Sequence, residues 1–280
     1  MARRPQQAVQ LADPAQADQI SAADELSEWQ GDGQFMQSLA RGLLVLREVV
    51  KGRGKVVPPR EIAETTGLSI QSVRRCIYTM NATGHVRANR NGAVPGLALS
   101  ELAGEFFASS PLVAACGPIL DKLHDELGVT VSLATFESDE PTIIASCSTD
   151  SLLRVELPIG SVMPIHSTAI GKVYLASLSD IELEVRLRSA ELPAYTARTI
   201  TEPEALRKMV TAVRRSGYAV AEEELTEGLR GIAVPVISSG GIATAAITAS
   251  VITSTSSKQD IREHIVPALQ DAANRLSQYA

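Results

Sequence analysis

The side chains in this sequence that could do chemistry are better suited to reading a polymer than to breaking a bond. Gln71, Ser72, Arg74, Arg75 and Tyr78 fall at positions that a helix with an apolar back of Val73, Ile77 and Met80 would leave outside. Gln pairs with adenine, Arg with guanine, and Ser with a base or a phosphate. Gln71 and Arg75 are four apart and share one helix face, and Arg74 and Tyr78 share the neighbouring face. Arg87 and Arg90 follow at the base and tip of an expected hairpin, where basic side chains meet the DNA backbone or minor groove. A solvated helix in a small bundle would use the same residue types. The reading therefore depends on the frame around them.

Catalytic chemistry finds no such support. Glu222, Glu223 and Glu224 are consecutive, so they cannot all face one substrate. Neither a nucleophile–base pair, a glycine-rich phosphate loop nor metal-ligand spacing is present. Cys76, Cys116 and Cys147 are too few and too scattered for a disulfide framework or a zinc site. No enzyme activity, cofactor, metal or membrane partner is expected. With no apolar run of membrane length and no leader after Met1-Ala2-Arg3-Arg4, the expected location is the cytoplasm, with reduced thiols.

The frame is a helix-turn-helix. The spacing predicts a helix from Ser38 with an apolar stripe of Leu39, Leu43, Leu46 and Val50, ended by Gly52 and Gly54. Pro58-Pro59 opens a second helix, with Ile62 and Ala63 on its buried side, that Gly67 breaks. Ser69 is a good N-cap for the third. Extended segments at 86–89 and 93–97 flank Asn91-Gly92, a hairpin signal. The chain has a net charge of −6, yet residues 35–95 hold ten Lys/Arg against three acids, a local balance of +7. A basic module on an acidic chain is the footprint of a DNA binder.

Residues 1–34 read as a disordered tail with a helical turn near Glu25–Trp29. Residues 35–98 form the winged unit and 99–111 a linker helix with the stripe Leu99, Leu102 and Phe106. Residues 112–280 begin with a helix to Leu127 and continue as strands at 129–136, 142–148, 152–157, 231–237 and 242–253. Ser138-Asp139-Glu140-Pro141 makes a turn between the first two. Helices over 167–178, 181–189, 202–216 and 257–279 complete an α+β arrangement.

This ordered set resembles the IclR family of bacterial transcription regulators. The matching residues are Ser38 to Leu46, Glu61-Ile62-Ala63, Gly67-Leu68-Ser69, Thr83-Gly84-His85-Val86, Pro158-Ile159-Gly160 and His166 to Lys172, then Gly217-Tyr218, Glu223-Glu224 and Gly228 to Pro235. Phe35 to Gly42 looks most like the branch that controls aromatic-acid breakdown. The resemblance implies a winged helix-turn-helix, a linker helix and a GAF-like effector domain. It also implies homodimers, often pairing into tetramers, on palindromic double-stranded operators.

The resemblance also implies an effector pocket at Ala169, Ile170, Ala221, Gly231, Thr248 and Ser250. N–H groups at Ala169, Ile170 and Gly171 would open a helix and receive a carboxylate. Thr248 and Ser250, two apart on a strand, would hold a second polar end. Leu157, Met163 and Ile170 would line the rest. Where relatives that bind very small acids have an acidic side chain and a cysteine, this chain has Ala221 and Gly231. Both changes enlarge the space and favour an aromatic acid, unless they are only packing choices. His166 is open to two readings, an anion donor or a structural histidine, of which the structural is favoured. A small-molecule enzyme and a GAF-type interaction module stand as the alternatives to a regulator.

Overall fold

Glycine, proline and one serine punctuate the N-terminal helices. The computed structural model describes residues 29, 31–136, 140–148 and 157–280. They divide into two units, one ending at Ser109 and the other starting at Ser110. In the first, α1 (Gln37–Lys51) stops at Gly52. The next helix, α2 (Pro59–Thr66), has Pro in its first turn, where no N–H partner is needed, and closes on Gly67 at φ 69°. Helix α3 (Ile70–Ala82) starts at Ser69, whose hydroxyl accepts from the Ser72 N–H at 3.2 Å. Strands β1 (Val86–Ala88) and β2 (Ala93–Pro95) pair antiparallel as a wing, and α4 (Ala98–Ser109) follows.

Two expectations change here. The stripe on α1 has the right period and the wrong face. Leu39, Leu43 and Val50 are exposed, while Val45 and Val49 enter the core with Ile62, Val73, Ile77 and Met80. Leu46 packs at its margin. Because α1 is apolar on more than one side, periodicity identifies the helix and leaves its rotation open. The wing turn is also longer than the three residues left between the expected segments, since Ala88 pairs with Ala93 around Asn89–Gly92. The Asn89 side-chain oxygen accepts from the N–H groups of Asn91 and Gly92 at 2.8 and 3.1 Å. Gly92 is needed because a Cβ there would lie 2.2 Å from the Val57 carbonyl oxygen, and Val57 bridges to Ala93.

The second unit is a five-stranded antiparallel sheet between helices. Its elements are α5 (Pro111–Leu127), β3 (Thr130–Thr135), β4 (Thr142–Cys147), α6 (Ala169–Ser177), α7 (Asp180–Ser189), α8 (Pro203–Ser216), β5 (Ala219–Glu222), β6 (Leu229–Ile237) and β7 (Ala243–Ile252). A short helix α9 (Lys258–Asp260), a π turn (Ile261–Ile265) and α10 (Val266–Leu276) close it. The strand order is β4-β3-β7-β6-β5. Strand β5 was not expected, since four residues ending on a glutamate give a weak alternation signal. Residues 152–156 of the expected strand, the tail before Trp29 and Ser138-Asp139 of the expected turn lie outside the described residues.

Alternation along the central strands explains where space is left. One face carries Val131, Leu133, Ile232, Val234, Ile247 and Val251, which pack with Leu120 and Leu123 of α5 and Leu269 of α10. Residues of opposite parity are small. They are Ala219 and Ala221 on β5, Gly231 and Ala233 on β6, and Ala246, Thr248 and Ser250 on β7. Helix α6 covers this second face through Ala169, Ile170 and Val173. Among the described residues no single helix is long and apolar enough to cross a membrane.

Candidate functional site

The surface of α3 is free to meet a ligand. Gln71, Arg74, Arg75 and Tyr78 are exposed and Ser72 is half-buried, while Val73, Ile77 and Met80 hold the helix to the core. Ser69 is exposed but uses its oxygen as the cap, which leaves its hydroxyl proton to donate. Arg87 on β1 and Arg90 in the wing loop are also exposed. Among the described residues none of Arg74, Arg75, Arg87 and Arg90 forms an ion pair, whereas Arg60 pairs with Glu64 at 2.9 Å. Sequence reasoning passed over Ile70, the exposed first residue of α3, which has the apolar character that meets a thymine methyl.

The second unit holds a cavity of about 440 Å³, its open mouth included, between α6 and the small-residue face of the sheet. The structure brings together Leu157, Met163, Ala169, Ile170, Ala221, Gly231, Thr248 and Ser250 around it. Pairing sets Ala221 beside Gly231 and Gly231 beside Ser250 across three strands. Thr248 donates its hydroxyl proton to the Ile232 carbonyl at 2.8 Å, so toward a ligand it can only accept. A Cβ on Gly231 would meet the Ala169 Cβ at 3.5 Å and the Ala169 nitrogen at 3.9 Å, which places this glycine against the start of α6.

Gly171 does not join them. The Thr168 hydroxyl accepts its N–H at 2.9 Å, and Thr168 caps the helix. A Cβ on Gly171 would lie 2.4 Å from Ile165 Cα, so this glycine permits close packing and is not a donor to the cavity. Ala169 and Ile170 keep the helix-start N–H groups that no turn of α6 can satisfy.

The cavity also has lining residues that sequence reasoning missed, namely Ser167, Thr168, Glu224, Leu225, Thr226 and Leu229. No spacing along the chain links 167–168 with 224–229. The available signal was the run of small residues on one strand parity.

Beneath the cavity Lys172 is wholly buried and donates to Glu224 Oε1 at 2.5 Å and to the Val220 carbonyl at 3.3 Å. Burial pushes the lysine down and the glutamate up from their ordinary ranges, and their mutual attraction opposes both shifts. The three consecutive acids part company. Glu222 pairs with Arg230 at 2.8 Å, Glu223 with Arg198 at 2.9 Å, and Glu224 with Lys172. Glu223 sits at φ 57°, which turns the chain between its neighbours. His166 is buried outside the cavity lining, stacks on Tyr195 and meets the Pro193 carbonyl at 2.9 Å. Burial lowers its pKa, and because a carbonyl only accepts, His166 Nε2 is the donor of that bond.

Comparison with known proteins gives a consistent result. The family described as bacterial transcriptional regulator IclR C-terminal matches residues 105–278. The Pca regulon regulatory protein of Pseudomonas putida is 32% identical over 259 residues, 91% of this chain and 88% of its own. A solved IclR transcriptional regulator from Alicyclobacillus acidocaldarius is 25% identical, covers 87% of this chain and 98% of its own, and superposes with a TM-score of 0.79. The inducer-binding domain of PobR from Acinetobacter, a double mutant solved with 3-hydroxybenzoic acid, is 26% identical. It covers 60% of this chain and 98% of its own, at a TM-score of 0.55.

Proposed function

The chain belongs to the IclR family of bacterial transcriptional regulators, and on that premise we propose that it is a cytoplasmic homodimer that reads a palindromic operator and senses an aromatic carboxylic acid. It performs no catalysis in this reading. One observation carries the sensing half: a cavity lined by Ala221, Gly231, Ala169 and Ile170, with the start of α6 and its N–H groups against the small-residue face of the sheet. Ala221 and Gly231 leave room that a two- or three-carbon acid would not fill. The carboxylate lies at Ala169 and Ile170, the ring against Leu157, Met163 and Ile170, and a second polar group toward Thr248 and Ser250. A thermal-shift screen of aliphatic and aromatic acids tests this, because a bound ligand raises apparent stability by mass action. Stabilisation by aromatic acids supports the reading, and stabilisation by pyruvate alone contradicts it.

The DNA-reading half rests on Gln71 and Arg75 in the first turns of α3, with Ser69, Ser72, Arg74 and Tyr78 beside them and Arg87 and Arg90 on the wing. Arg75→Ala is expected to cost about 1–3 kcal/mol of operator affinity and to relax base preference. Arg87→Ala and Arg90→Ala weaken all sequences alike, and each phosphate left without its arginine lowers the salt slope by about 0.9. Fluorescence anisotropy on operator and mutated-operator duplexes reads both effects. Unchanged discrimination in Arg75→Ala would mean that another face of α3 reads the bases.

Dimerisation is supported by α4, in which no residue is buried and Leu102 and Phe106 stand exposed beside half-buried Leu99. Two-fold pairing covers such a stripe and matches two half-sites. Sedimentation at micromolar concentration is expected to give a dimer. A monomer that still binds operator with full affinity would rule the pairing out.

A further inference from the structure

The wing is a ribbon of two three-residue strands, and so small a hairpin does not keep its shape in water without outside support. Its two outer edges show where that support comes from. Ala88 on β1 stands opposite Ala93 on β2, and each turns backbone groups away from the ribbon. Ala93 exchanges two hydrogen bonds with Val57, at 2.9 and 3.0 Å, so the β2 edge is met by backbone. Among the described residues no strand lies beyond β1. There the Ala88 N–H donates to Asn81 Oδ1 at 2.9 Å, a side chain reaching out of the last turn of α3.

That bond joins the two parts that face DNA. Val86 is buried in the core and fixes the base of β1. Arg87 follows it, exposed, and the N–H that Asn81 holds belongs to the peptide between Arg87 and Ala88. Arg90 rides the loop just beyond, which the Asn89 side chain closes on itself. The needs of α3 do not explain an asparagine at this position, since alanine is the better helix former. We propose that Asn81 is a positioning residue for DNA binding. Its side chain takes the place of a third strand at the β1 edge and fixes the angle at which the wing presents Arg87 and Arg90 beside Gln71 and Arg75 of α3. The inference rests on the reading of α3 and the wing as the DNA surface, and it adds a residue that acts through the wing arginines.

Fluorescence anisotropy on the full chain tests it, with a duplex from upstream of its own coding sequence and a shuffled control, over a series of salt concentrations. Asn81→Ala is expected to weaken both duplexes alike, by about three- to tenfold, the scale of one hydrogen bond. The salt slope falls with it. Asn81 carries no charge, so a lower slope registers arginines that no longer meet phosphate. In a chain that already carries Arg87→Ala and Arg90→Ala, the same substitution changes affinity by less than about twofold, because the three residues act as one unit. Faster hydrogen exchange over residues 86–92 in free Asn81→Ala, with an unchanged thermal melt, shows the loosened wing in a folded chain. An undiminished effect of Asn81→Ala in the chain without the wing arginines would make Asn81 a DNA contact itself. Parental affinity and salt slope in Asn81→Ala would leave it no role. Either result overturns the inference and leaves the DNA surface standing. If the variant with both wing arginines replaced bound DNA as the parent does, the wing would drop out of the DNA surface and the inference would fall with it.

Discussion

Replacing Lys172 with methionine is expected to destabilise the chain by about 3–5 kcal/mol. Lys172 is fully buried, and its ammonium answers both Glu224 Oε1 and the Val220 carbonyl. Methionine fills similar space but leaves a buried carboxylate without its counter-charge and a carbonyl without one of its donors. The remaining glutamate can escape only by taking up a proton. Its pKa is already raised by burial, and without Lys172 it rises further. An acid whose folded pKa lies above its unfolded one favours folding at low pH and loses that contribution as pH rises. The deficit of Lys172→Met should therefore shrink on acidification toward the ordinary carboxylate range. The double variant Lys172→Met, Glu224→Leu removes both charges and is expected to recover most of the loss. Urea denaturation followed by circular dichroism measures all three chains. A single variant within about 1 kcal/mol of the parent would show that the pair contributes no more than an exposed one.

Gly231→Leu is expected to weaken effector binding by about 100-fold while the domain stays folded. The glycine is an ordinary strand residue, without the positive φ found at Gly67 or Gly228. A Cβ there makes only van der Waals contact with Ala169. Gly231→Ala therefore folds and narrows the cavity slightly. The further carbons of leucine have nowhere to go but the ligand space in front of the Ala169 N–H. A loss of binding on the order of 100-fold corresponds to about 3 kcal/mol, the upper range for forcing extra carbons into a filled site. Calorimetry with 3-hydroxybenzoate, alongside a thermal melt to confirm folding, reads the result. Undiminished binding in a folded Gly231→Leu would place the pocket elsewhere. Tight pyruvate binding in the parent chain with no response to any aromatic acid would defeat the size argument.

Local signals were the readable ones. Gly67, Ser69 and the Val73–Ile77–Met80 back act within one turn of themselves, so α3 and its exposed face could be placed from sequence. The rotation of α1 could not, because Leu43 and Val45 are equally apolar and only the packing of α2 and α3 decides between them. The strand row that underlies the cavity was half visible in Thr248 and Ser250. Its full extent lay in the parity of β6 and β7, bulky at Ile232, Val234 and Ile247 and small at Gly231, Ala233 and Ala246. Gly171 was misjudged because a helix-start N–H looks available until its cap is known, and here Thr168 takes it. Ser167, Glu224 and Thr226 were not placed at the cavity, since only the fold brings positions more than fifty residues apart to one space.

In the proposed function, one chain couples operator reading to recognition of an aromatic acid. Anisotropy titration of the full chain tests it directly, using duplexes from upstream of its own coding sequence and shuffled controls, each with and without hydroxybenzoates at saturating concentration. Salt-sensitive binding that favours one upstream duplex over its shuffled control by about a thousandfold or more is expected, with a shift of that affinity when the acid is added. Equal binding to the upstream and shuffled duplexes, with no change on adding any of the acids, would contradict it.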